Sequence, residues 1–242
     1  MKITSVTNEL VKETAKLLQK KYRKDCFLLE GTKCIEEAIE SGLEIVHLFV
    51  QEGSSEFLNY KDRIETTEVV LSKISSTESA PKAVAVAKKI KREWSEDFKK
   101  VILLENIKDA GNLGTILRTA CAFNFDAVVL YGDTVDLYNP KCVRSSVGNL
   151  WKIPVFEMSD LSVFKDYERI ATLPKSVNSV WLKDYIPQEK VLVMFGAESS
   201  GLSETLKNFA TKNVTIEMSD RVESLNLSIS VGVILYFFSH RR

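Results

Sequence analysis

Histidine is nearly absent from this chain, which has only His47 and His240, far apart in sequence. A His-rich metal site is thereby excluded, and chemistry needing several imidazoles is disfavoured; no metal is expected. Four cysteines, Cys26, Cys34, Cys121 and Cys142, contain no C-x-x-C pair, so zinc-ribbon spacing is missing. Their sparse placement suits a reduced cytosolic chain better than a disulfide scaffold. No apolar run reaches the ~18–20 residues of a membrane helix, and the best candidate, from Ile229 to Phe238, is broken by Ser230 and Gly232. The opening MKITSVTNELVKE has no apolar signal core. A cytoplasmic protein without membrane attachment is expected.

Charge of one sign is lacking too. Lys plus Arg and Asp plus Glu both number 33, for a formal net charge of zero. That balance excludes a globally cationic nucleic-acid coat but leaves room for a local basic groove. Three common fingerprints are also missing: the G-x-x-x-x-G-K-[ST] phosphate loop, the G-x-G-x-x-G dinucleotide turn and the G-x-S-x-G nucleophile elbow. A P-loop ATPase and a Rossmann-type NAD enzyme are disfavoured accordingly.

What is present is an ordinary globular composition, 45% hydrophobic and 27% charged, in 242 residues. That length suits two domains at roughly 100–200 residues each. The segment NELVKETAKLLQKKYRKD reads as one amphipathic helix, with Val11, Ala15, Leu18 and Tyr22 at helical spacing and lysines crowding the other positions. Its charged face is either plain solvated surface or RNA contact. CFLLEG reads as a strand, TKCIEEAIESG as a helix ended by Gly42, and EIVHLFV, TTEVVLS and KAVAVAKKI as further strands. A small mixed α/β domain over residues 1–96 follows, with KKIKREWSEDFKK as the linker. Over residues 97–242 strands alternate with helices: VILLENI, DAVVLYG, IPVFEM, RIATL, KVLVMFG and VTIEM are the strands. A helix is expected from about Leu113 to Phe123, one over NPKCVRSSVGNLW capped by Asn139, and a long apolar one at the C-terminus. This alternation predicts an α/β fold with a parallel sheet covered on both faces, and ligands gather outside the carboxyl ends of such strands.

Three loops at those ends carry more than a connection needs. In KDAGNLGTILRTA, Gly111 and Gly114 free the backbone, Asn112 can cap the helix and Arg118 follows on its early turns. Taken alone, a capped helix with a surface arginine explains it as well. In MFGAESSGLSE, Gly196, Glu198 and Gly201 form G-x-E-x-x-G after a purely apolar strand, with Ser203 as a helix cap. In IEMSDRVESLNLSIS, Ser224, Asn226, Ser228 and Ser230 enter an otherwise apolar helix. Four polar side chains in seven residues exceed what capping requires and suggest a polar pocket.

In this order and at these separations, NLGTILRTA, FGAESSGL and MSDRVESLNLS resemble the three signature motifs of the SpoU/TrmH family of RNA ribose 2′-O-methyltransferases, the knotted SPOUT class. The resemblance covers about Val101 to Phe238; FLLEGTKCIEEAI is more weakly similar to the ribosomal-protein-like domain that many members carry for RNA recognition. It implies a deep trefoil knot in the parallel-sheet domain, an exception to the general absence of knots. It also implies S-adenosyl-L-methionine as cofactor and a homodimer packed through knot helices. The adenosyl pocket would use Thr172, Leu173, Gly196 to Gly201, Ile216 to Met218, and Leu225. Arg118 matches the catalytic arginine, and Asn112, Glu198, Ser224 and Asn226 match the other polar active-site positions.

Departures are Ser199, where a glycine is usual in the second motif, and Leu227, where valine is frequent. The local basic residues expected to meet RNA are Lys20, Lys21 and Arg23, with Lys141 and Arg144. The expected function is S-adenosylmethionine-dependent ribose 2′-O-methylation of structured RNA, ribosomal RNA first. The alternatives are a transfer-RNA ribose methyltransferase or a noncatalytic RNA-binding protein on the same scaffold.

Overall fold

The structure, a computed structural model, describes residues 1–175 and 179–240. Two compact units emerge: Met1–Lys91 together with Asp136–Trp151, and Arg92–Val135 together with the chain from Lys152 onward. Sequence pattern put the division after residue 96; contacts put it after Lys91 and give the first unit an excursion of the later chain.

The first unit runs β1 (Lys2–Ile3), α1 (Glu9–Lys16), β2 (Cys26–Glu30), α2 (Thr32–Glu40), β3 (Ile45–Gln51), β4 (Arg63–Thr66), α3 (Glu68–Lys73) and β5 (Ala83–Lys88). Its sheet has the order β1-β4-β3-β5-β2, parallel at β1/β4 and β4/β3 and antiparallel at β3/β5 and β5/β2. Val11, Val70, Leu71 and Ile74 from the helical segments pack on Leu28, Phe49, Ile64, Val84 and Val86 of the strands.

Two expectations give way here. The first helix ends at Lys16 and is followed by turns and a 3-10 turn at Lys20–Tyr22. Continuing it would stack Lys16, Lys20 and Lys24 at repulsive i, i+4 spacing; instead the Arg23 guanidinium donates to the Leu17 carbonyl at 2.6 Å and turns the chain back. TTEVVLS is not a strand. Thr67 caps α3 by accepting from the Val70 N–H, and Val70, Leu71 and Ile74 are buried at helical spacing. An alternation of so few residues cannot separate the two periods.

The second unit comprises β6 (Lys100–Glu105), α4 (Ala110–Ala122), β7 (Ala127–Tyr131), β8 (Val155–Met158), β9 (Glu168–Thr172), β10 (Val180–Trp181), β11 (Val191–Phe195), α6 (Glu204–Phe209), β12 (Lys212–Thr215) and α7 (Leu227–His240). Between β7 and β8, α5 (Pro140–Ser146) lies in the excursion and packs on β2. Asn139 caps α5 as expected, and a left-handed Val147 ends it earlier than the sequence pattern implied. The seven strands are all parallel, in the order β10-β12-β9-β11-β6-β7-β8. Val101 to Leu104 of β6 are fully buried, the signature of a strand covered on both faces.

From β9 the chain runs to the far edge as β10, returns to the middle as β11, then slots in as β12 between β10 and β9. The stretch expected as a bare linker is partly core. Trp94 meets Phe98, Phe156 and Phe164 edge-on, with centroids 5.1, 5.3 and 5.2 Å away. Such contacts contribute beyond area burial. Among the described residues no helix is long and apolar enough to cross a membrane.

Candidate active site

Parallel register brings the carboxyl ends of β12, β9, β11 and β6 side by side, so Thr215, Thr172, Phe195 and Glu105 open onto one rim of the second unit. Every expected catalytic and cofactor position lies on chain leaving that rim or on α4.

α4 begins three residues earlier than its hydrophobic pattern suggests, and its cap is Asp109. The Asn112 N–H donates to Asp109 Oδ1 at 2.8 Å. Asn112, expected as the cap, is thereby released from that role and turns its amide elsewhere. Its Nδ2 donates to Glu198 Oε1 at 2.7 Å, while its Oδ1 accepts a longer bond, 3.4 Å, from Asn226 Nδ2. Asn226 Oδ1 is held by the Ser228 N–H and hydroxyl at 2.9 and 2.7 Å, as a residue just outside a helix start should be. Asn112, Glu198 and Asn226 thus form one chain of hydrogen bonds with every amide oriented.

Arg118 lies two turns along α4, exposed, its guanidinium in no hydrogen bond or ion pair among the described residues. Ser224 is exposed just before α7 and is not tied into the bonded set. The helix starts at Leu227, so of the four polar residues expected to enter it only Ser228 and Ser230 lie inside.

The loop carrying Glu198 has a steric requirement. A Cβ at Gly196 would sit 2.0 Å from the Gly201 carbonyl carbon and 2.2 Å from the Leu202 nitrogen. Glycine at 196 is therefore demanded by backbone passing close by. Gly201, at φ +65°, returns its N–H to the Ala197 carbonyl at 2.9 Å and closes a small bridge. Ser199, the departure from the motif, stands exposed in that loop.

Of the expected adenosyl contacts, the Thr172 hydroxyl donates to the Met194 carbonyl at 2.8 Å and the Leu173 N–H to the Val214 carbonyl at 3.0 Å. Those two groups knit the strand ends together. Leu173, Ile216, Met218 and Leu225 remain half-buried. Half-exposed apolar side chains at a strand-end rim, with glycine backbone beside them, fit a flat heteroaromatic ligand such as adenosine.

None of the cysteines is prepared as a nucleophile. Burial raises all four thiols, Cys34 and Cys142 to about 12.

Sequence reasoning missed Asp109 and Glu105. The second signalled itself only as an acid closing an apolar strand; it is 3% exposed and accepts from the Ser203 N–H at 2.7 Å.

In the first unit, Lys20 and Lys21 are exposed, the latter with its Nζ 4.9 Å from the Tyr22 ring centre, and Lys141 is exposed on the first turn of α5. The two other residues expected to contact RNA carry ion pairs. Arg23 is buried, its Nε 2.7 Å from Asp136 Oδ2, so it presents no charge to a ligand. Arg144 pairs with the buried Glu30 carboxylate and donates to the Ser76 hydroxyl at 2.6 Å.

Residues 99–236 match the SpoU rRNA Methylase family, and residues 8–85 match the MRM3-like substrate binding domain. An uncharacterized tRNA/rRNA methyltransferase of Synechocystis sp. is 34% identical over 97% of this chain and 92% of its own. The 23S rRNA (guanosine(2553)-2′-O)-methyltransferase RlmP of Bacillus subtilis is 29% identical over 97% of each. A solved AdoMet-bound rRNA methyltransferase from Sinorhizobium meliloti superposes with a TM-score of 0.84 at 26% identity, covering 98% of this chain and 97% of that one. The rim of parallel strands, the bonded Glu198–Asn112–Asn226 set and a match over more than half the chain agree: this protein belongs to the SpoU rRNA methylase family.

Proposed function

We propose that this chain transfers a methyl group from S-adenosyl-L-methionine to a ribose 2′-hydroxyl of RNA, with ribosomal RNA as the substrate. The carrying observation is the Glu198–Asn112–Asn226 chain of bonds on the same rim as the half-buried apolar ligand surface, with the Arg118 guanidinium, unpaired among the described residues, two turns along α4. The 23S rRNA 2′-O-methyltransferase of Bacillus subtilis supplies the reaction class. We read the return of β11 and β12 through the sheet as the trefoil knot that the resemblance implies.

Leu173, Gly196–Gly201, Ile216–Met218 and Leu225 would hold the cofactor, which would supply an electrophilic methyl on a sulfonium that leaves as the neutral thioether. What the chain must do is make a weakly acidic hydroxyl reactive, its proton passing to solvent as the O–CH3 bond forms and the S–CH3 bond breaks. A guanidinium with a pKa above ~12 is a poor base, so Arg118 acts by stabilising negative charge on the ribose oxygen and by holding the adjoining phosphate. Asn112, fixed by Glu198 on one side and Asn226 on the other, orients the ribose, and Ser224 completes the polar lining. An exposed Arg118 with no side-chain partner among the described residues favours an enzyme over a noncatalytic scaffold.

RNA recognition is assigned to the 1–96 region through Lys20 and Lys21, with Lys141; Arg23 and Arg144 are left out because other side chains occupy them. Such contacts suit recognition by shape and phosphate rather than base sequence.

Ribose-methylation maps of ribosomal and transfer RNA, with and without the gene, test this reading. One ribose site lost from ribosomal RNA is the expected result. A site lost only from transfer RNA selects the alternative substrate, and unchanged maps contradict the proposal.

We also propose a homodimer through α7. The helix buries Val231, Ile234, Leu235 and Phe238 on one side, yet Ile229, Val233 and Tyr236, at i, i+4 and i+7, are 56%, 38% and 56% exposed. An apolar stripe on both sides of a helix calls for a second partner. Ile229→Asp with Tyr236→Asp is expected to turn a dimer into a monomer in sedimentation velocity; a monomeric wild type would refute the assignment.

A further inference from the structure

Glu105 ends a strand in which every preceding residue from Val101 to Leu104 is fully buried, and it is itself 3% exposed. A carboxylate so placed needs partners, because water cannot reach it. Its Oε2 accepts from the Ser203 backbone N–H at 2.7 Å. Ser203 in turn caps α6, its hydroxyl accepting from the Leu206 N–H at 3.3 Å. The loop between Gly196 and Ser203 is therefore clamped at both ends. At the first end Gly196 is pressed against Gly201 and Leu202; at the second, Ser203 hangs on Glu105. Glu198 rides on that loop and receives Asn112, which stands seven positions after Glu105 on the helix that follows β6.

The next residue does the same on the other flank. Asn106, at φ +56°, accepts the Asp133 N–H on its Oδ1 at 2.8 Å, and a Cβ at Gly132 would lie 2.4 Å from that oxygen. Since β6 lies between β11 and β7, two consecutive residues at its end brace the loops that leave both neighbouring strands.

We propose that Glu105 is a positioning residue for methyl transfer: it sets the Gly196–Ser203 loop so that Glu198 meets and orients the Asn112 amide. This inference rests on reading Asn112 and Glu198 as active-site groups. A carboxylate that only stabilised the fold would lower the melting temperature and leave the effect of changing Glu198 untouched. One acting through Glu198 would lose its effect on rate once Glu198 is gone.

The test is a mutant cycle on kcat at saturating S-adenosyl-L-methionine and ribosomal RNA. Glu105→Met keeps the volume and removes the acceptor, and is expected to lower kcat at least tenfold. Glu105→Gln, which retains an acceptor oxygen, is expected to restore most of the rate. In a Glu198→Ala background, Glu105→Met should change kcat less than twofold further. Independent, multiplying effects, or an unchanged kcat in Glu105→Met, would overturn the proposal. A Glu198→Ala enzyme as fast as wild type would instead bring down the reading of the site itself, and this proposal with it. Should Glu105→Met fail to fold, Glu105→Asp, one methylene too short to reach Ser203, runs the same cycle.

Discussion

Arg118→Ala is expected to lower methyl transfer about 10²–10³-fold, the usual consequence of removing one preorganised donor to a developing oxyanion. The expectation follows from the absence of any structural employment for this side chain. Arg118 is exposed on α4 and no acid or carbonyl among the described residues holds it, so truncation leaves no orphaned partner and no cavity. The melting temperature should stay within a few degrees of wild type. Binding of S-adenosyl-L-methionine should change less than threefold, because the surface assigned to it comes from Leu173, Gly196, Ile216, Met218 and Leu225, not from α4. Arg118→Lys should recover only part of the rate: an ammonium supplies charge but not the planar, two-pronged donor that suits a phosphate and a neighbouring oxygen together. Calorimetry and a methyl-transfer assay on the same preparations separate these effects, and equal loss in both would refute the division of roles.

Asp136→Ala is expected to destabilise the first unit by about 3–5 kcal/mol, the typical effect of leaving one member of a buried ion pair alone. The side chains of Arg23 and Asp136 are 3% and 11% exposed, and the guanidinium also donates to the Leu17 carbonyl at 2.6 Å. Removing the carboxylate strands a charge where solvent cannot compensate it. Replacing the pair together, as Arg23→Met with Asp136→Leu, should regain most of the loss, since desolvation offsets much of a buried pair's attraction. Hydrogen exchange on the strands β2 and β5 reads this unit without assuming that the whole chain unfolds in one step. Protection unchanged in Asp136→Ala would contradict the expectation. The result matters for how the molecule is built, because Asp136 comes after β7 in sequence and yet serves the unit that starts at Met1.

That pair also illustrates what could not be read in advance. Arg23 sits in a run of lysines and looks like surface; its burial depends on an acid 113 positions away, and no local spacing encodes that distance. The same holds for the bonded set at the rim, where Asn112 finds Glu198 across 86 positions and Asn226 across 114. Only its ingredients were visible, as glycines and uncharged polar side chains in excess of what three connections need. The parallel sheet was legible for a different reason. Strands such as VILLE and VLVMF are buried on both faces, so they appear as unbroken apolar runs whatever surrounds them.

Helix boundaries fared less well where polar side chains compete for the same backbone groups. Asn112 was the obvious cap, but Asp109 took that position three residues earlier, which is what left the Asn112 amide available for Glu198. α3 and the shortened α1 departed from pattern because a segment as short as TTEVVLS fits either period and because clustered lysines resist stacking on one helix face.

The most direct measurement is the ribose-methylation map of ribosomal and transfer RNA from three strains, carrying the wild-type gene, no gene, or the Arg118→Ala allele. A single 2′-O-methyl site in ribosomal RNA, present in the first and missing from the other two, is the predicted result. Maps identical in all three would contradict the assignment of this chain as an RNA ribose methyltransferase acting through Arg118.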